Sequence, residues 1–147
     1  MENRTGSKGK SLTLPRVLAV VAAVAALVAV GASFSWAGPC TGVLELAKGN
    51  AVPMRCAYAQ KAVALMGVVL AIVAAKSAVT GKMESWAIVL LSIAMIAVTF
   101  ESAFGIGVCK SEMACWTMAA WVRGCAAVSG VCGLVAAVLP LFKKQVR

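Results

Sequence analysis

The sequence predicts an all-α fold: a four-helix transmembrane bundle, N-in/C-in, with two Cys-containing exoplasmic loops. Three observations carry this expectation. Of 147 residues, 62% are hydrophobic and 13% charged, and the mean hydropathy is +0.94. Soluble domains are nearer half apolar and a quarter charged, and one of this size has too little interior to hide the excess. Long apolar runs alternate with short polar segments, and the basic residues behind the net charge of +9 gather in every second segment.

A membrane domain over residues 17–140 is expected between two basic cytoplasmic tails, 1–16 and 141–147. The first span, residues 17–37, has 21 residues without a charge. At ~1.5 Å each they reach ~30 Å, one hydrocarbon thickness. The basic start and Ser35-Trp36-Ala37 would also fit a cleaved leader, but the run is long and further spans follow, which favours an uncleaved helix. Gly38 and Pro39 stop it. The second span covers about 57–75, with Gln60 and Lys61 in its first turns. The segment 76–85 (KSAVTGKMES) is a polar turn with two lysines. The third span covers about 86–107 and contains Glu101. The fourth, about 116–139, carries Arg123 near its start, and Pro140 closes it. Ala22/Ala26, Ala25/Ala29 and Ala126/Gly130, with Gly133, have the small-residue spacing that lets helices approach closely in lipid.

Orientation follows from Lys and Arg placement. Both tails and the 76–85 turn hold most of the basic residues, whereas the two cysteine loops hold Lys48, Arg55 and Lys110. The positive-inside rule puts the former in the cytoplasm and the latter outside. Trp36, Tyr58, Trp116 and Trp121 then fall near the outer boundary and Trp86 at the inner one. A cell (plasma or inner) membrane, crossed several times, is the expected location.

Composition also excludes. Histidine is absent, which removes His-dependent nucleophile systems and His-based zinc sites. No basic patch interleaves with exposed aromatics, so nucleic acid is not an expected partner. No nucleotide-binding motif is present, and no cofactor or metal is expected.

Cys40 and Cys56 share the first outer loop, and Cys109 and Cys115 the second. Even numbers of exoplasmic thiols point to disulfides. The simplest expectation is a bridge within each loop, Cys40–Cys56 and Cys109–Cys115; an inter-loop pairing such as Cys40–Cys109 stays open. Two other chemistries also stay open. Quinone-linked thiol oxidases are four-helix proteins with paired exoplasmic thiols, although no Cys-x-x-Cys is present here. Met54 and Met113 each stand two residues before a cysteine, and thioether plus thiolate suits Cu(I). Cys125 and Cys132 lie in the fourth span and read as small apolar packers. Glu101 is expected well inside the third span, where an ionisable group needs a partner. Lys61 and Arg123 at similar depth, with Gln60, complete an expected intramembrane polar cluster.

Pro39-Cys40, Met54-x-Cys56-x-Tyr58-x-Gln60, Gly107-x-Cys109 and Met113-x-Cys115 together resemble the DUF4418 family of small bacterial membrane proteins. The resemblance covers roughly residues 17–140. It implies four apolar helices, no established reaction and a role beside membrane transport systems, often of the ABC type. Ala57 stands where the family commonly has His or an aromatic residue. The expected function is therefore non-enzymatic: an accessory or interaction subunit in the lipid bilayer, partnered by a protein such as a transporter permease. Thiol-disulfide oxidoreduction and soft-metal handling are the alternatives.

Overall fold

The computed structural model describes residues 14–40, 42–45, 49, 51–102, 105–108 and 114–145. Cys109, Lys48, Lys110, Met113 and residues 1–13 of the basic tail lie outside the described residues. Four helices dominate: α1 (Leu14–Phe34), α2 (Arg55–Thr80), α3 (Ser85–Val98) and α4 (Ala114–Gln145). They pack as a ring, α1 on α2 and α4, and α3 on α4 and α2. Two short antiparallel hairpins sit at one end of the bundle. β1 (Val43–Glu45) pairs with β2 (Ala51–Pro53), and β3 (Glu101–Ser102) with β4 (Gly105–Ile106). The opposite end holds the turn between α2 and α3. Gly81 ends α2 there in the left-handed region (φ 71°), and its N–H returns to the Ser77 carbonyl.

The bundle interior combines small residues with large ones, for Val63, Leu70, Ile88, Met95, Met118 and Val122 are fully buried beside the alanines. Ala19, Ala22, Ala26, Ala29 and Ala32 form a buried seam along α1 at three- and four-residue spacing. Cys115, Met118, Val122, Ala126, Ser129 and Cys132 do the same on α4. Larger apolar side chains such as Val24, Leu27, Leu65, Ile72, Leu90, Ile93 and Val131 point outward. A soluble bundle places its large residues inside. Here the outward face meets its apolar surroundings without cost, and Ala allows the backbones to approach. Gly67 on α2 meets Val30 and the Ala26 carbonyl of α1, and Gly133 on α4 meets Ile88 and Val89 of α3. Buried hydroxyls bond back to the preceding turn: Ser33 to the Ala29 carbonyl, Ser77 to Val73 and Ser92 to Ile88, each at 2.8 Å. Ser129 donates to Cys125 and also reaches the Ala22 carbonyl of α1 at 3.3 Å.

Three helices are long and apolar enough to cross a membrane, and α3 is a shorter apolar helix. The third expected span, 86–107, is therefore helical only to Val98. Its 14 residues reach ~21 Å, short of a ~30 Å hydrocarbon core. The chain then turns back as the β3–β4 hairpin. That hairpin takes up carbonyls a helix end leaves orphaned. Thr99 N–H bonds to the Ile96 carbonyl, Phe100 N–H to Ala97 and Gly107 N–H to Val98, at 3.0–3.1 Å. Non-helical backbone at membrane depth is tolerable when it is satisfied by protein in this way. Helix α4 differs in the other direction, since its backbone runs on through Pro140 to Gln145.

Candidate functional site

The hairpin end collects the residues with chemistry. Cys40 follows the turn that ends α1, Cys56 is the second residue of α2, and Cys115 is the second residue of α4. Because α1 neighbours both α2 and α4, these three positions converge. Cys40 Sγ lies 3.7 Å from Cys115 Sγ, and Cys56 Sγ lies 4.0 Å from the Cys40 carbonyl oxygen. Cys56 and Cys115 are fully buried and Cys40 half-buried. No two described cysteines are at bonding distance. A disulfide needs ~2.05 Å, so the Cys40 and Cys115 sulfurs are about 1.7 Å short of one. The approach is between loops, the kind of pairing the sequence left open beside the simpler Cys40–Cys56 bridge. Cys109, the other half of the expected second bridge, lies outside the described residues.

Trp36 and Trp121 meet edge to face beside this cluster, with ring centroids 5.8 Å apart, and tie the end of α1 to the first turns of α4. Gln60 Nε2 donates to the Ser33 carbonyl at 2.7 Å, satisfying one of the last carbonyls of α1. Met54 precedes α2 and its side chain lies over Gly42. Among the described residues no group of three or more His, Cys, Asp or Glu side chains is arranged to hold a metal ion.

The residues expected to form one intramembrane cluster take separate partners. Glu101 sits on β3, exposed, with its carboxylate 3.9 Å from Arg55. The early end of α3 explains this, because it lifts Glu101 out of the helix and onto the hairpin. Lys61 is exposed, with its ammonium 5.9 Å from the centre of the Tyr58 ring. Arg123 is half-buried. Its Nε donates to Thr99 Oγ1 at 2.8 Å and its Nη2 to the Thr99 carbonyl at 3.0 Å, and its guanidinium stacks on Phe100 at 4.0 Å. Neither Lys61 nor Arg123 forms an ion pair among the described residues.

Thr99, Phe100, Glu101, Trp116, Ala120 and Arg123 line a cavity of about 330 Å³ at this end of the bundle. Sequence reading found Glu101 and Arg123 but missed Thr99 and Phe100, which look like ordinary span residues. The signal available was Gly105-x-Gly107 so soon after Glu101, a pair of glycines that favours a return of the chain over another helical turn.

A family model described as "Domain of unknown function (DUF4418)" matches residues 20–142. No curated protein and no solved structure matches the chain.

Proposed function

With the chain belonging to the DUF4418 family, we propose that it is a multi-pass subunit of a bacterial plasma membrane, oriented N-in/C-in, whose exoplasmic end is closed by cysteine bridges. Its role in this reading is that of an accessory or interaction subunit, with a transporter permease as the kind of partner. The observation that carries the closed end is the 3.7 Å approach of Cys40 and Cys115. Cys40 and Cys115, on different loops and close in space, favour an inter-loop bridge over Cys40–Cys56 in an oxidising compartment. The orientation rests on Arg16, Lys76 and Lys82 at the turn end. The interior is packed with apolar side chains and satisfied serines, which leaves recognition to the outward faces and the hairpin end.

A second reading, thiol-disulfide oxidoreduction, is favoured by Cys56. Its buried thiol lies beside the Cys40–Cys115 pair, with Sγ 4.0 Å from the Cys40 carbonyl oxygen, and this reading has it exchange with a disulfide between them.

The deciding experiment maps the cysteines in native membranes, by alkylation under denaturing conditions without reductant and then peptide mass spectrometry. The expected result is a Cys40–Cys115 linked peptide whose abundance ignores quinone depletion. A mixture of thiol and disulfide that shifts with quinone supply would replace the accessory reading with the oxidoreductase. Fully reduced thiols with stoichiometric copper would replace both.

A further inference from the structure

Arg123 is nine residues beyond Ala114, ~13 Å along α4, inside a segment long and apolar enough to cross a membrane. A cation within such a segment demands compensation. The partners it has are neutral: the Thr99 hydroxyl, the Thr99 carbonyl and the Phe100 ring. They fix the plane of the guanidinium without neutralising it. Among the described residues the ion pairs are Glu101 with Arg55 and Glu84 with Lys76, and Glu101 also lines the cavity beside Arg123. Arg123 Nη1 makes none of the hydrogen bonds among the described residues, so one face of a rigid donor fork is left for an acceptor.

The space for that acceptor is the cavity of about 330 Å³ beside Thr99 and Trp116. A second cavity, of about 400 Å³, lies on the neighbouring face of α4, between α1 and α4, and the two share Ala120. The second is apolar, walled by Ala25, Val28, Trp121, Cys125 and Val128, and it follows α4 away from the hairpin end. A fixed cation in one cavity and an apolar groove beside it, with Ala120 lining both, suit an amphiphile with an anionic head.

We propose that Arg123 holds the phosphate of a phospholipid, with the head in the Thr99–Trp116 cavity and an acyl chain in the groove between α1 and α4. Phosphate is the shared chemistry of two sources, a lipid phosphodiester and free inorganic phosphate. The groove favours the lipid. So does Glu101, which lines the same cavity and opposes a doubly charged anion more than a singly charged diester.

Native mass spectrometry in detergent tests this. The intact protein is titrated with palmitoyl-oleoyl-phosphatidylglycerol and, separately, with inorganic phosphate. The expected result is a single tight lipid adduct, weakened roughly ten-fold or more by Arg123→Gln, with inorganic phosphate neither binding nor displacing it. Ala120→Trp adds bulk at the residue that lines both cavities and removes no group from the Arg123–Thr99 bonds. It is expected to weaken the adduct to a similar degree, and it keeps the test informative should Arg123→Gln disturb the bundle. Equal adducts in wild type and both variants would show a nonspecific lipid coat and overturn the proposal. No adduct in the wild type would overturn it too, and competition by inorganic phosphate would reassign the site to the free anion.

Discussion

Single atoms decide the shape of the hairpin end, and Gly105 is the clearest case. A Cβ on Gly105 would run into the carbonyl oxygens of Phe100 and Ala97. Those are backbone atoms at the end of α3, so no side-chain rotation relieves the clash. Gly105→Ala must push β4 off β3, and with it the Gly107 N–H bond to the Val98 carbonyl at the end of α3. The expected cost exceeds about 1 kcal/mol, read as a lower thermal midpoint in detergent. Gly124→Ala is the matched control. No neighbouring atom lies within 4 Å of a Cβ placed there, so stability should hold or rise by up to ~1 kcal/mol from helix propensity. Equal midpoints for the two variants would mean that Gly105 does not hold the hairpin. The same scale shows why Arg123 was only half legible. Its charge inside an apolar run marks it as functional or paired, but its acceptor is Thr99, whose backbone carbonyl carries no sequence signal at all.

Among the elements, α1, α2 and α4 were readable because an uninterrupted apolar run of span length has few other outcomes. Their ends moved by a few residues, as polar flanks such as Arg55 and Lys76 joined the helices. The end of α3 was not readable in the same way. The residues after Val98 are apolar enough to extend a span, and hydropathy does not distinguish a helix from a hairpin that satisfies its own backbone. On α1 the inner face is small and the outward face carries Val and Leu, and this gives a second prediction. Ala26 is 1% exposed and faces α2, whereas Val24 is 54% exposed on the outward face. Ala26→Leu forces three extra carbons between α1 and α2, where Gly67 already admits Val30, and overpacking of this kind costs about 1–3 kcal/mol. Val24→Leu adds bulk where only lipid gives way, and should change stability by less than about 0.5 kcal/mol. Denaturant-dependent unfolding in mixed micelles distinguishes them, and equal losses would show that the alanine seam is not the packing face.

For the whole molecule, ring order is what brings the two cysteine loops together. Loop spacing alone favoured bridges within each loop, because nothing in the sequence states that α1 lies between α2 and α4. That adjacency places residues 75 apart in sequence with their sulfurs 3.7 Å apart. It also changes what a bridge is worth. In the chain-entropy account a Cys40–Cys56 loop contributes ~3 kcal/mol, whereas a Cys40–Cys115 loop contributes ~4.5 kcal/mol and pins α1 to α4 across the ring. Denatured states in detergent keep their helices, so the measured difference should fall below that bound while keeping its order. Reductant is therefore expected to lower the thermal midpoint of the wild type and of Cys56→Ser by several degrees. Cys40→Ser and Cys115→Ser should start lower and lose sensitivity to reductant. If Cys56→Ser behaves like Cys40→Ser and Cys115→Ser does not, the bridge lies within the first loop. The 3.7 Å approach would then be a packing contact between a closed loop and the start of α4.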